Sequence, residues 1–198
     1  GLGDVYKRQV LLMAVIVGAI GAVIGSGGAA NSAEDYTYQA QVSEQTESYR
    51  DMVVDYCEKY GIDDYVDLCL AVIEQESGGN PPDVMQTEQS YYNVNPPIDT
   101  AEESIDCGTH ELSDCLTKAK SKSPNDIKGI SLALQGYNFG NGYIDWALKN
   151  YGCYSKENAE IFSQKMCVEL GYDSYGDVEY VPHVLRYYCL LYTSDAAD

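Results

Sequence analysis

The chain has 198 residues, of which 31 are acidic and 12 are basic, and its net charge at pH 7 is −19. This charge argues against nucleic-acid binding, because a protein that binds a phosphate backbone presents a basic face. The regular central part has about 140 residues, enough for one domain of ordinary size.

The two ends of the chain differ in character from everything between them. Residues 1–9 (GLGDVYKRQ) and 189–198 (CLLYTSDAAD) resemble the translation of transposase-type sequencing-library adapters. We therefore expect both to be adapter-derived scars and exclude them from reasoning about the fold. Without Cys189, six of the seven cysteines remain. An even number in an exported chain favours a disulfide framework.

An uncharged apolar run covers residues 10–25. It is slightly shorter than the roughly 20 residues that span a bilayer. We interpret it as a transmembrane anchor or, alternatively, as the apolar part of a signal peptide, since small residues follow it. Both interpretations place the rest of the chain outside the cytoplasm. Residues 26–46 are polar and rich in Gly, Ser and Gln, which predicts a flexible tether.

Residues 47–188 show apolar side chains at helical spacing nearly throughout, and the pattern predicts one all-α domain. A first helix is expected from Tyr49 to Gly61, and a second from Tyr65 to the glycine pair at Gly78. No segment alternates convincingly as a strand would.

Local signals mark the later helices. Thr100 and Glu103 form a capping box at the start of a third helix. Ser123 followed by Pro124 predicts the start of a fourth. Further helices are expected over residues 143–150, over 156–170 and from Pro182 onward.

Glu76 continues the apolar stripe of the second helix into its last turn, whereas Glu74 points about 200° away and into water. A carboxyl group at the core-facing end of a helix is desolvated, which raises its pKa and keeps it protonated near neutral pH. Glycoside cleavage requires such a general acid. The alternative is an ordinary polar residue at a fraying helix end.

Three motifs follow one another in an informative order. Residues 75–80 read QESGGN, residues 83–86 read DVMQ, and residues 134–148 read LQGYNFGNGYIDWAL. Together they resemble the lysozyme-like superfamily, in particular the goose-type lysozyme and soluble lytic transglycosylase group. The similarity is greatest to the N-terminal muramidase-like domain of bifunctional wall hydrolases from Gram-positive conjugative elements.

The resemblance implies a site with Glu76 as the acid that cleaves between N-acetylmuramic acid and N-acetylglucosamine. Ser77 would support the acid or the sugar. The substrate-binding residues it implies are Met85 and Gln86, which would contact the N-acetyl group and pack on the sugar, and Tyr137 and Asn138, which would sit over Glu76 and orient its proton.

Asp83 stands where the soluble transglycosylase group usually has glycine. It adds a carboxylate beside the expected cleft, and Glu88 adds another. Either could be the second catalytic acid that a hydrolase needs, or a solvated loop charge. This favours a muramidase over a lytic transglycosylase, which needs no second acid. A wall-binding scaffold module without catalysis is the alternative from another class.

The remaining cysteines and histidines carry no metal-binding pattern. His110 and His183 lie far apart and are interpreted as exposed helix histidines, so no metal and no cofactor is expected. Six cysteines allow 15 pairings, and we take the nearest-neighbour set as a hypothesis. That set pairs residues 57 with 69, 107 with 115, and 153 with 167.

The resemblance also implies partners and a location. The expected partners are peptidoglycan strands, the membrane through residues 10–25, and a conjugation apparatus. The expected location is the extracytoplasmic face of a Gram-positive cell wall, with the protein membrane-anchored or secreted. Because such walls are polyanionic, a protein of this charge is repelled from them, and tethering would replace attraction.

Overall fold

The computed structural model describes residues 36–94 and 96–192, and in these ranges the fold is mainly α-helical, as the sequence predicts. The predicted scar at 1–9, the apolar run at 10–25 and most of the second scar lie outside the described residues. The helices of the described part are α1 Glu44–Glu47, α2 Arg50–Tyr60, α3 Val66–Ser77, α4 Ala101–Ala119, α5 Ile127–Phe139, α6 Gly142–Asn150, α7 Lys156–Leu170 and α8 Tyr180–Leu185.

Helix ends follow local capping chemistry. Gly61 and Gly78 end α2 and α3 in the left-handed conformation, where a residue without Cβ is favoured. The capping box of Thr100 and Glu103 is present at the start of α4. The predicted start of α5 at Ser123 is wrong: the helix begins at Ile127, because the Asp126 side chain accepts the Gly129 N–H and caps it.

The core is centred on α3, whose residues from Leu68 to Ile73 are all fully buried. A helix that is apolar on every side is enclosed by others, and α3 packs against α2 and α8. Each buried leucine or isoleucine contributes roughly 1.5–3 kcal/mol to stability. The last turn of this rigid helix therefore offers a well-fixed position for a functional side chain.

A two-stranded antiparallel sheet joins the beginning and the end of the described domain. Strand β1 (Tyr36–Ala40) pairs with β2 (Tyr188–Tyr192), with Tyr38 opposite Leu190. The Tyr38 ring stacks on Tyr188 at 4.9 Å. Backbone pairing needs no strict side-chain alternation, which is why the sequence pattern missed these strands.

The sheet changes the domain boundary. Residues 36–46, expected to belong to a flexible tether, form β1 and most of α1, so the ordered domain begins well before residue 47. Residues 189–192 of the expected scar lie in β2, and their origin as adapter sequence stays a prediction. Within the described ranges, no helix combines the length and apolar character needed to cross a membrane.

All the cysteines of the described chain are free thiols in the structure. Their positions permit only one of the three expected disulfides. Cys57 on α2 and Cys69 on α3 have sulfur atoms 3.5 Å apart in the core. Cys107 and Cys115 are both on α4, eight residues and about 12 Å apart along its axis. A disulfide needs Cα atoms within about 7 Å, so pairing these two is wrong.

The third expected pair is also excluded by helix geometry. Asn158 on α7 donates to the Cys153 carbonyl oxygen at 2.8 Å, which places Cys153 beside the first turn. Cys167 is nine residues further along the same helix, or about 13 Å. Cys153 and Cys167 are therefore too far apart to form a disulfide.

Candidate active site

Glu76 lies in the last turn of α3 and is half-buried, as its helical position predicts. Glu74 differs from its prediction: it does not point into water. Its carboxylate accepts hydrogen bonds from the Ser43 N–H at 3.2 Å, the Ser43 hydroxyl at 2.8 Å and the Thr46 hydroxyl at 2.5 Å. The α1 segment, which the sequence pattern left unstructured, thus covers one side of the helix and leaves Glu76 as the carboxyl group on the other.

The environment of Glu76 favours its protonated form. Burial is the main cause and raises the pKa of Glu76 to about 7, with a smaller contribution from the negative charges of Asp83 and Asp177. The Tyr180 hydroxyl donates to Glu76 Oε1 at 2.5 Å and partly opposes this rise, because it stabilises the carboxylate. Near neutral pH, Glu76 can therefore hold a proton and also release it.

Ser77 fixes the helix end to the following loop. Its hydroxyl donates to the Val84 carbonyl oxygen at 2.8 Å and accepts the Gly79 N–H at 3.0 Å. Gly79 has a φ of 78°, and a Cβ there would lie 2.9 Å from the Thr46 nitrogen. Ser77 thus holds the loop against the end of α3, and its predicted role in supporting the acid or the sugar stays a prediction.

Asp83 organises this loop. Its Oδ1 accepts the Thr87 N–H at 2.8 Å, the Thr87 hydroxyl at 3.0 Å and the Ser104 hydroxyl at 2.7 Å, and its Oδ2 accepts the Glu88 N–H at 2.9 Å. These four donors occupy most of the carboxylate's acceptor capacity. Asp83 therefore contributes charge near Glu76 while its oxygens hold the loop. Glu88 is exposed and contributes its backbone N–H.

The predicted role of the Met85 side chain is wrong. Met85 is fully buried and packs against α4, where a Cβ on Gly108 would lie 2.6 Å from its sulfur. Its N–H donates to the Ser104 hydroxyl at 2.9 Å. The thioether therefore fills the core and is not available to a sugar. Gln86 is exposed with a φ of 54°, and its amide donates to the Asp83 carbonyl oxygen at 2.9 Å.

Tyr137 and Asn138 on α5 approach the site in a different way from the predicted one. The buried Tyr137 hydroxyl donates to the Met85 carbonyl oxygen at 2.9 Å, and its ring lies nearly parallel to that of Tyr180 with centroids 6.5 Å apart. Asn138 Oδ1 accepts the Asp177 N–H at 2.7 Å. Their polar groups hold the two loops beside Glu76, and it is Tyr180 that contacts the acid.

Tyr180 and Asp177 are the site residues that the sequence reasoning missed. Tyr180 is 104 positions from Glu76 in the chain and two residues before the helix start expected at Pro182. Asp177 lies in the turn before α8. The sequence signal for Tyr180 was the apolar spacing of Tyr180, Val181 and Val184. All three are buried in α8, so the tyrosine lies on the core-facing side of the helix.

The two histidines have aromatic or acidic neighbours. His110 lies between the rings of Tyr60 and Tyr92, with centroid distances of 4.3 and 3.8 Å. His183 is partly exposed, and its Nδ1 lies 2.6 Å from Asp177 Oδ2. In the part of the chain that the structure describes, no group of three His, Cys, Asp or Glu side chains is placed to bind a metal ion.

Known proteins resemble this chain in sequence. CwlT of Bacillus subtilis, a bifunctional muramidase/DL-endopeptidase, is 36% identical over 146 residues, which are 74% of this chain and 42% of CwlT. A pneumococcal vaccine antigen A homolog from Streptococcus pyogenes serotype M6 is 34% identical over 99 residues, or 50% of this chain and 48% of that protein. The chain therefore spans about half the length of these curated relatives.

A solved structure and a family model extend the comparison. The crystal structure of an NLP/P60-family protein similar to lipoprotein, from Staphylococcus aureus Mu50, superposes with a TM-score of 0.63 at 29% identity and covers 79% of this chain and 55% of that one. The family model described as lysozyme-like matches residues 43–193. This match covers most of the chain and contains Glu76 with all of its described contacts, and the chain therefore belongs to the lysozyme-like family.

Proposed function

We propose that this domain is a peptidoglycan glycosidase, and specifically a muramidase that hydrolyses the β-1,4 bond between N-acetylmuramic acid and N-acetylglucosamine. The observation that carries the proposal is Glu76, a half-buried carboxyl group with a pKa raised to about 7 at the end of a rigid core helix. Such a group meets the two demands on a general acid, since it is protonated at working pH and fixed in position.

The contacts of Glu76 suggest how its proton is presented. Because the Tyr180 hydroxyl donates to Oε1, the proton of the neutral acid sits on Oε2. Glu76 would give this proton to the glycosidic oxygen while the bond to the anomeric carbon breaks through an oxocarbenium-like transition state. The carboxylate that remains is stabilised by the same Tyr180 hydrogen bond. Water then adds to the anomeric carbon and completes hydrolysis.

The relatives support this substrate class, since the name of CwlT includes muramidase activity and 74% of this chain aligns with part of it. One observation favours a lytic transglycosylase as the second candidate. The two carboxylates predicted to assist hydrolysis are a loop anchor, Asp83, and an exposed side chain, Glu88. A transglycosylase needs neither, because the muramyl 6-hydroxyl attacks in place of water.

Product analysis distinguishes these candidates. Purified peptidoglycan is incubated with the parent protein, with Glu76→Gln and with Glu160→Gln, a matched control at an exposed position of α7. We expect reducing muramyl ends from the parent and the control, and a loss of at least about 100-fold in Glu76→Gln. Anhydro-muramyl ends would instead establish a transglycosylase. Binding without any product from the parent would establish a non-catalytic wall-binding module.

We also propose where the enzyme acts. Its substrate lies outside the cytoplasm, and the apolar run at residues 10–25 would hold the domain at the outer face of the membrane. Local wall opening for a conjugation apparatus is the role that the resemblance suggests. Protease added to protoplasts, which lack the wall but have an intact membrane, would digest the domain if it is exported. Full protection of the domain, with digestion only after lysis, would contradict this location.

A further inference from the structure

A short turn before α8 places a carboxylate and an imidazole beside the acid. Asp177 Oδ2 lies 2.6 Å from His183 Nδ1, and the Asp177 charge is one of the two that act on Glu76. His183 follows Tyr180 by three residues on α8, so the two side chains lie on the same side of the helix. Tyr180 in turn contacts Glu76. The Asp177–His183 pair thus lies in the same turn and helix as the residue that contacts Glu76.

Asp177 is held from several directions. Its carbonyl oxygen accepts the Gln135 amide at 2.9 Å, and its N–H donates to Asn138 Oδ1 at 2.7 Å. Its Oδ1 accepts the Glu179 N–H at 2.8 Å, which leaves Oδ2 for His183. A carboxylate held at both its backbone groups and one oxygen cannot rotate freely, and its remaining oxygen is directed at the imidazole.

Gly176 makes this turn possible. It has a φ of 59°, and a Cβ at this position would lie 2.4 Å from the Phe139 ring and 2.8 Å from Asn138 Oδ1. Only glycine permits such close approach of the turn to α5. The fold therefore fixes the position of Asp177 through backbone geometry as well as through hydrogen bonds.

The pair has the features of a base that can reach solvent. A carboxylate only accepts hydrogen bonds, so His183 donates from Nδ1, and in the neutral imidazole Nε2 is then the unprotonated nitrogen. The His183 and Asp177 side chains are 41% and 36% exposed, so water and substrate can reach them. This is the geometry in which a carboxylate orients a histidine for proton transfer.

We propose that His183 is the general base of the hydrolytic step and that Asp177 is the positioning residue that orients it. The inference rests on the proposed muramidase function. As Glu76 gives its proton to the glycosidic oxygen, the bond from that oxygen to the anomeric carbon breaks. One water oxygen bonds to the anomeric carbon, and its proton passes to His183 Nε2. Asp177 stabilises the imidazolium, and solvent then returns both groups to their starting protonation states.

Other charged groups surround the pair and set the conditions for its use. On α8 and the preceding turn these are Glu179, which pairs with Lys156 of α7, and Arg186, which donates to Gln75 at 2.8 Å. The charge of Asp177 acts on Glu76 of α3, and α5 contributes the neutral amides of Gln135 and Asn138. A neutral imidazole accepts a proton and an imidazolium does not.

His183→Gln and His183→Asn test the base, and Asp177→Asn tests its orientation. The matched controls are His110→Gln, which changes the other histidine, and Asp173→Asn, which changes an exposed acid in the preceding loop. We expect kcat for reducing-end formation to fall about 100-fold or more in the His183 variants, with little change in KM. Both controls should behave like the parent.

Two further measurements separate a base from a structural residue. Azide is a nucleophile that needs no deprotonation, so it should restore bond cleavage in the His183 variants and give a muramyl azide. Because water attacks the anomeric carbon directly, without a glycosyl-enzyme intermediate, nascent reducing ends from the parent should have inverted configuration by NMR. Retained configuration, no azide rescue, or a kcat within threefold of the parent in folded His183 variants would overturn the proposal.

The outcomes also separate this inference from the function on which it rests. If the parent forms reducing ends and Glu76→Gln does not, while the His183 variants keep the parent rate and pH profile, only the role of His183 is wrong. If the parent forms only anhydro-muramyl ends, the muramidase function itself is wrong and no water-activating base is needed. A Tm within about 2 °C of the parent's establishes that a variant is folded. A loss of 1 kcal/mol in stability would lower the Tm of a domain of this size by about 2–4 °C.

Discussion

The Tyr180 hydroxyl acts on Glu76 in two opposing ways, and a single substitution separates them. It fixes Oε1 at 2.5 Å, and it lowers the pKa of Glu76 relative to what burial alone would produce. Tyr180→Phe removes both effects. If Glu76 is the acid, its pKa of about 7 sets the alkaline limit of the kcat/KM profile, and we expect this limit to move upward by about one pH unit. We also expect kcat to fall about 10-fold, because the acid loses its fixed orientation.

Tyr175→Phe is the matched control for this substitution. Its hydroxyl donates to the Phe139 carbonyl oxygen at 2.8 Å and makes no contact with Glu76. It should lose some stability and keep the parent's alkaline limit. An alkaline limit that stays in place in Tyr180→Phe, or moves downward, would show that Glu76 is not the group that titrates there.

Glu76 also carries a stability cost that depends on pH. Its pKa is about 7 in the folded protein and 4.5 in the ordinary side chain, so the folded state holds the proton more tightly. The stabilisation from the neutral acid is full below pH 4.5 and is lost as the pH rises to about 7. We therefore expect Glu76→Gln, which stays neutral, to exceed the parent in stability by about 1–3 kcal/mol at pH 8.

Chemical unfolding at pH 4 and pH 8 measures this difference. The two proteins should have nearly equal free energies of unfolding at pH 4, with the gap opening between pH 4.5 and 7. Glu160→Gln, at an exposed position, should match the parent at both pH values. A Glu76→Gln variant that is less stable than the parent at pH 8 would contradict the raised pKa.

At this scale the sequence selects the carboxyl group that the structure half-buries and the segments that surround it, but not the contacts that these segments make. The role of Glu76 as the acid stays a prediction. Helical spacing and the motif order are local properties, and they are sufficient to select Glu76, Ser77 and the segments around Met85 and Tyr137. Whether a side chain faces substrate or core depends on its tertiary neighbours. Gly108 admits the Met85 side chain into the core, and Tyr137 reaches a backbone carbonyl oxygen 52 positions away.

At the scale of elements, predictions held where the signals were local. The glycine ends of α2 and α3 and the capping box of α4 are determined by neighbouring residues, and the structure confirms them. The sheet depends on residues 36–40 meeting 188–192, which no local pattern encodes. The contact between α3 and α8 that brings Tyr180 to Glu76 is equally remote in sequence.

The α2–α3 pair offers a test of the one disulfide that the structure permits. The hydrogen bond with Cys57 and burial raise the pKa of the Cys69 thiol well above its usual range, so the reactive thiolate is rare once the protein has folded. We expect a Cys57–Cys69 bond when the reduced chain is refolded with oxidised glutathione, and little reaction when the same reagent is added to folded protein. Oxidised glutathione accepts the two electrons that the two thiols lose when the bond forms.

Peptide mapping and unfolding measure the outcome. The bridged protein should be two hydrogens lighter and more stable by about 2–4 kcal/mol, since the bond closes a short loop between the helices. Cys153 and Cys167 should remain separate from each other, because α7 holds them apart. Mapping that finds Cys107 joined to Cys115 would mean that α4 is not a continuous helix in solution.

For the whole molecule, charge is the dominant property, because 31 acidic residues outnumber 12 basic ones. The wall at which we propose that the domain acts is itself polyanionic. Repulsion between them acts over the Debye length, which is about 30 Å at 0.01 M salt and about 8 Å at 0.15 M. We therefore expect the rate on intact walls carrying anionic polymers to rise several-fold over this range, through faster association and not through kcat. Walls stripped of those polymers provide the control, because uncharged glycan gives much less repulsion to screen and the rate should change little.

A tether that holds the domain at the wall would remove the need for association from solution, so a membrane-linked form should lose most of the salt dependence. If salt slowed the free enzyme on intact walls, attraction would outweigh repulsion, and the distribution of charge around Glu76 would matter more than the total.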